Sequence, residues 1–343
     1  MNKENLYSIA SALVAPHKGI LAADQSVKTM DKQLQAIGVT PDAEVRRQYR
    51  QLLMTTEGLE DYVTGVILYD STIRNKTDDG VPFADILVSK GIVPIIKVDR
   101  STTPHINFPG EVITQGLDNL ADHLAEYYDM GARATKWRAV FNIGENIPSK
   151  QNIKVDTVAL ALYAAMAQNA GLVPIVEPEV IYSGSHDLKR AEQVTTQVLQ
   201  ALFSELVEQK VDLKGVILKS SMVLAGSTNE NQSTPEEVAE ATIRTFKNSV
   251  PEEVPGIVFL SGGQTPKQAT SNLNAIAKLE KSEGNLPWQF AFSFSRALEE
   301  PAQRVWQGKL ENIPAAQAIL LERLRLNCLA DQGVYEPNME TDQ

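Results

Sequence analysis

Apolar residues along the 343-residue chain gather into eight short runs, all but one of which stop at a polar or charged side chain. The runs cover residues 19–24, 65–70, 92–99, 134–141, 172–179, 215–220, 256–261 and 290–296. Short stretches with apolar side chains at successive positions have the pattern of strands buried on both faces. Between them, apolar positions recur with a helical period over 43–57, 117–130, 155–170, 187–209, 235–248 and 266–281. Alternating strand and helix imply an α/β fold with a parallel sheet. Eight such units suit a closed (β/α)8 barrel, the TIM-barrel architecture, better than an open sheet of the same size. No linker separates two apolar cores, so one domain is expected over 1–330, led by an amphipathic helix near 6–15. The acidic, aperiodic segment 331–343 reads as a flexible C-terminal tail. No short repeat is visible, which excludes a solenoid.

Composition narrows the function classes. A net charge of −11 and a pI near 5.0 argue against non-specific binding of nucleic acid or a membrane surface, which needs a basic patch. No run of 18 apolar residues exists to span a bilayer, and Glu4 and the interleaved serines set 6–15 apart from a signal sequence. A single cysteine, Cys328, cannot form an internal disulfide, fits a reducing cytoplasm and reads as a packing residue in a helix. A cytoplasmic protein is expected.

In a barrel of this kind the working residues sit at the C-terminal ends of the strands. Here those ends carry Asp24, Asp70, Lys97 with Asp99, Lys136 with Arg138, Glu177 with Glu179, Lys219, Ser261 with Gly262 and Gly263, and Arg296. A lysine that ends a strand can simply emerge into water. Three of them beside carboxylates at matching places favour chemistry instead. The four histidines, His17, His105, His123 and His186, fall far apart, and Lys136, Arg138 and Lys219 would crowd any carboxylate-bound Mg²⁺, so no metal and no cofactor are expected. The two glycines after 256–261, with Thr265-Pro266 opening a helix, let backbone N–H groups approach an anion. They fall where this barrel recurrently binds phosphate, and Arg296 supplies a planar donor. A phosphorylated small molecule is therefore the expected partner. Lys219 is the natural nucleophile, because an amine adds to a ketone to give an iminium, an electron sink for breaking the adjacent carbon–carbon bond. Its amine, with a pKa of about 10.4 in water, would be lowered by burial and by the charge of Lys136. Glu177 and Glu179, two apart on one strand, point to one face, where mutual repulsion would raise one of them toward a general acid. Asp24 is placed to accept a proton from the substrate.

These segments resemble the class I, Schiff-base fructose-bisphosphate aldolase family from about residue 19 to 296. The motifs are Gly19-Ile20-Leu21-Ala22-Ala23-Asp24, Pro94-Ile95-Ile96-Lys97-Val98-Asp99, Lys136-Trp137-Arg138, Val173-Pro174-Ile175-Val176-Glu177-Pro178-Glu179 and Phe259-Leu260-Ser261-Gly262-Gly263-Gln264. The resemblance implies reversible cleavage of fructose 1,6-bisphosphate through a Schiff base on Lys219. Glu177 would act as acid and base in forming it, Asp24 as the base in cleavage, and Lys136 as electrostatic support, with Glu179 and Arg138 orienting their neighbours. It also implies one phosphate on Ser261, Gly262, Gly263, Ser293 and Arg296, a second toward Lys97 and Ser26, and a homotetramer. The chain departs from the family pattern at Ser220-Ser221 after the nucleophile, at Gln25-Ser26-Val27-Lys28, at Gln33 and at Ser295. Its end, Thr341-Asp342-Gln343, lacks the family's C-terminal tyrosine, and Tyr335 is the nearest aromatic. Two alternatives stay open: a related lysine aldolase acting mainly on sedoheptulose bisphosphate or another sugar phosphate, and a catalytically weakened scaffold barrel.

Overall fold

A computed structural model describes residues 3–284 and 286–340. Eight parallel strands form one sheet: β1 (Gly19–Ala23), β2 (Val63–Leu68), β3 (Val93–Lys97), β6 (Ala134–Phe141), β7 (Val173–Val180), β8 (Ile217–Ser221), β9 (Gly256–Leu260) and β10 (Gln289–Phe292), in that order. Each expected apolar run overlaps one of them, with bounds that differ by a few residues. The sheet closes where the Ala22 N–H donates to Phe294 O at 2.9 Å. Closure needs a glycine at the foot of β1, because a Cβ on Gly19 would fall 2.2 Å from the Phe292 ring.

An antiparallel hairpin, β4 (Thr102–Pro104) and β5 (Val112–Thr114), rises between β3 and β6. Sequence periodicity did not indicate it, since three-residue strands carry too few positions to show alternation. The helices expected between the strands are present. They start where the sequence supplies an acceptor for their first N–H groups: Asp42, Ser149, Asp187 and Thr265 each accept from the residue three further on, and Thr234 with Glu237 forms a reciprocal capping box.

The interior of the barrel explains where the chemistry lies. Alternate residues of a strand face inward. Toward the strands' N-terminal ends these are apolar: Ile20, Ala22, Ile67, Ile95, Ala134, Val173, Ile175, Ile217, Val258 and Ala291 pack together, and Leu6, Ala10, Leu13 and Val14 at the N-terminus close the bottom. Two residues further along five of these strands, Ala22, Ile95, Ala134, Ile175 and Ile217 give way to Asp24, Lys97, Lys136, Glu177 and Lys219. The apolar plug fixes the strands, and the next inward layer carries the charges.

Asp70 is not part of that layer. β2 ends at Leu68, and Asp70 opens a four-residue helix, half exposed and paired with Arg74 at 2.8 Å. Cys328 is buried in the helix Ile313–Asp331, where burial pushes its thiol up to about 12. Tyr335 is buried too: its N–H donates to Asn274 Oδ1 and its hydroxyl to Glu340 Oε1, both at 3.0 Å. The last three positions of the segment expected to be a tail, 341–343, lie outside the described residues. No helix among the described residues is long and apolar enough to cross a membrane.

Candidate active site

The charged inward layer opens into a cavity of about 530 Å³ at the C-terminal mouth of the barrel. Its walls include Asp24, Ser26, Lys97, Lys136, Arg138, Glu177, Glu179, Lys219, Ser261, Gly262, Ser293 and Arg296. Of the residues expected from sequence, Asp70 and Gly263 are missing from the wall; Asp70 borders a neighbouring cavity instead. Gly263 has a φ of +101°, and a Cβ there would approach Arg296 Nη2 to 3.4 Å.

One ammonium organises the centre. Lys136, at 2% exposure, places Nζ 2.6 Å from Asp24 Oδ2 and 3.1 Å from Glu177 Oε2. Burial works against its charge, but Asp24 and Glu177, with Asp99 behind them, outweigh burial and raise its pKa above the lysine range. The reciprocal holds for Asp24: burial opposes ionisation, and Lys136 and Lys219 overcome it, holding the carboxyl well below its usual range. Asp24 is thus a fixed anion and Lys136 a fixed cation. Lys219 Nζ lies 3.5 Å from Glu177 Oε1, on the other side of the same carboxylate. Glu177 Oε2, although near Lys136, lies off the hydrogen-bonding direction and has no protein hydrogen bond among the described residues.

Sequence reading expected Glu177 and Glu179 to repel each other. In the structure each has its own cation, because Glu179 pairs with Arg138, the residue two after Lys136 on the adjacent strand. Glu177 therefore faces the two lysines and Glu179 faces the guanidinium. Lys97 engages Asp99, whose other carboxylate oxygen accepts the Arg138 N–H at 3.2 Å. Burial lowers the Lys97 pKa despite Asp99.

Anion donors gather on the β9–β10 side. Gly262 and Gly263 turn with positive φ after Ser261. The buried Ser293 hydroxyl has no protein partner among the described residues, and Arg296 has no acidic partner there either. Such donors, with two turn glycines, are groups of the kind that can hold an anion. Ser26 accepts the Thr29 N–H at 3.3 Å and, with Lys97, Asp99 and Ser101, lines both this cavity and a second one of about 420 Å³. Asp70 lines only the second.

Sequence reading singled out Gln33 but missed the rest of one wall. Thr29, Lys32 and Ala36 line the cavity with Gln33, all on the helix Val27–Ala36. Their spacing of i, i+3, i+4 and i+7 marks one helix face, a signal readable in the sequence but mixed in polarity. Ser101, Thr102, Gln25 and Ser295 also line it. Among the described residues no three His, Cys, Asp or Glu side chains gather as a metal-binding group.

Comparison with known proteins gives the same direction. A family model described as fructose-bisphosphate aldolase class-I matches residues 5–343. A probable fructose-bisphosphate aldolase class 1 of Xanthomonas axonopodis pv. citri (strain 306) is 49% identical over 337 residues, covering 98% of this chain and 100% of that one. A cytosolic fructose-bisphosphate aldolase 6 of Arabidopsis thaliana is 44% identical, covering 97% of this chain and 92% of its own. A solved chain of the Plasmodium falciparum fructose-bisphosphate aldolase, in complex with TRAP and a small molecule inhibitor, is 41% identical with a TM-score of 0.94 over 97% of this chain and 95% of that one.

Proposed function

Since the chain belongs to the class-I fructose-bisphosphate aldolase family, we propose how its own residues divide the work of that reaction. The reaction is the reversible cleavage of fructose 1,6-bisphosphate to dihydroxyacetone phosphate and glyceraldehyde 3-phosphate, a glycolytic step that runs through a lysine Schiff base. The observation that carries the assignment is the position of Glu177 between two buried lysines, 3.5 Å from Lys219 Nζ and 3.1 Å from Lys136 Nζ.

Lys219 is the nucleophile. Glu177 Oε1 is the acceptor for its proton, and the free amine then adds to the ketone carbon. Glu177 returns a proton to the carbinolamine oxygen, which leaves as water, and the iminium remains. Lys136 cannot take the nucleophile's part, since Asp24 and Glu177 hold its proton in place.

In cleavage Asp24 accepts the proton of the hydroxyl on the carbon that becomes the aldehyde. The carbon–carbon electron pair flows into the iminium, which becomes a neutral enamine as the aldehyde forms. A carboxylate so firmly ionised is a weak base at rest, and part of that depression comes from the charge on Lys219. Cleavage removes that charge as the proton arrives, so the proton affinity of Asp24 rises along the reaction coordinate. Lys136 stays cationic and fixes both carboxylates.

Ser261, Gly262, Gly263, Ser293 and Arg296 hold the phosphate of the dihydroxyacetone phosphate half. Lys97 and Ser26 face the second phosphate, and Glu179 orients Arg138. By family relationship the chain assembles as a homotetramer, which sedimentation would test. The naming of a cytosolic relative and the single buried cysteine support cytoplasmic location, which imaging of a tagged chain would test.

Reduction with borohydride in the presence of dihydroxyacetone phosphate, followed by peptide mass mapping, tests the central assignment. A reduced triose on Lys219 is expected. An adduct on Lys136 or Lys97, or none, would overturn it.

A further inference from the structure

Gln25 and Ser295, 270 residues apart and each a departure from the family pattern, touch at the edge of the cavity. Gln25 Nε2 lies 2.7 Å from Ser295 Oγ. Which atom donates is settled from behind. Arg50, 4% exposed, donates from Nη2 to Gln25 Oε1 at 2.5 Å. A guanidinium has no acceptor, so the amide oxygen of Gln25 must face Arg50 and its nitrogen must face the other way. That nitrogen spends its two hydrogens on Ser295 Oγ and on Glu299 Oε1, the latter at 3.0 Å. An amide nitrogen only donates, so Ser295 Oγ is the acceptor and its own proton points elsewhere.

No other hydrogen bond engages that hydroxyl among the described residues. Ser295 immediately precedes the helix Arg296–Trp306, yet its side chain does not cap it. It lines the cavity beside Arg296. We propose that Ser295 Oγ–H is a further donor to the phosphate held by Ser261, Gly262, Gly263, Ser293 and Arg296, and that Gln25, locked by Arg50, is the positioning residue that aims it. This rests on the phosphate placement given under the proposed function. A carboxylate at position 25 would reverse the chain of donors: it would accept the Ser295 proton and remove it from the phosphate. It would also set a second acid beside Glu299, whose carboxyl burial already pushes up to about 7.

The test is the half-saturation of borohydride inactivation by dihydroxyacetone phosphate and, separately, by dihydroxyacetone, which has the ketone without the phosphate. Ser295→Ala should raise the half-saturation for the phosphorylated ketone about tenfold and leave that for dihydroxyacetone unchanged, while Ser295→Thr, which keeps the hydroxyl, should stay close to the parent chain. Gln25→Glu should act in the same direction as Ser295→Ala and add little on top of it, because both remove one donor. If Ser295→Ala stays within twofold, or weakens both ketones equally, the proposal is overturned. Arg296→Ala separates the two levels: should it leave the phosphorylated ketone unaffected, the phosphate placement itself fails, and should it alone raise the half-saturation, only the role of Ser295 fails.

Discussion

Lys136 Nζ stands 2.6 Å from Asp24 Oδ2, joining β6 to the end of β1 across the mouth of the barrel. Two opposite charges, both nearly out of water, each secure the other's ionisation. Removing one leaves an uncompensated buried charge, which costs about 3–5 kcal/mol. Lys136→Met should therefore lower thermal stability and also cut kcat by about 10³ or more, since Asp24 and Glu177 lose their common anchor. Normal kcat with an intact fold would contradict the electrostatic role.

The same pair sets a pH dependence. Asp24 is held below its ordinary value of 3.8, so its contribution is present above that pH and lost as pH falls further. Lys136 is held above 10.5, so its contribution is present below that pH and lost as pH rises through the shifted value. Denaturant titrations from pH 2 to 5 should show a steeper acid loss in the parent chain than in Asp24→Asn. Equal slopes would mean that the pair is solvated in the folded state.

Lys219→Met should abolish the borohydride adduct and reduce turnover to about 10⁻⁴ of the parent or less, while treatment with EDTA should leave the parent's rate unchanged. Loss of activity on chelation, restored by a divalent ion, would count against the Schiff base as sole electron sink.

Glu177→Gln keeps the shape but removes the proton acceptor next to Lys219. A kcat lower by about 10² to 10⁴ is expected, with slower adduct formation in rapid-quench trapping. Were trapping as fast as in the parent, Glu177 would act only after the iminium.

At the opposite end of the barrel Asp331 and Glu280 border one pocket with His17. Burial, reinforced by Glu280, pushes Asp331 up to about 8, and burial pushes Glu280 up to about 7. Raised acids stabilise the fold fully at low pH and lose that contribution as pH climbs through the shifted values. Asp331→Asn can still accept the His17 N–H, now 3.1 Å from Oδ2, and should raise Tm by a few degrees at pH 9 and by less at pH 5. A uniform shift at both would show that Asp331 does not titrate there.

Tyr335 gives its hydroxyl to Glu340, which also pairs with Arg323, and it does not line the catalytic cavity. Tyr335→Phe should leave kcat within about twofold and lower stability by about 1 kcal/mol. A large drop in proton exchange at dihydroxyacetone phosphate would instead place it in the reaction.

The order of strands and helices, and which strand residues carry charge inward, follow from the sequence alone. Side chains alternate along a strand, so the step from Ile175 to Glu177 to Glu179, or from Ala134 to Lys136 to Arg138, stays on one face whatever the neighbours do. The turn glycines 262 and 263 and the lysine within β8 were legible for the same local reason. Partnership was not. That Lys136 joins Asp24 to Glu177, that Glu179 takes Arg138, and that Gln25 reaches Ser295 depend on barrel closure and on the register between strands distant in the chain. The hairpin of β4 and β5 and the cavity face of the helix Val27–Ala36 also escaped, one too short to show a period and the other too mixed. Local chemistry fixes which face a side chain takes, but the distance between two charges belongs to the packed sheet. Their proton affinities depend on that distance and on burial.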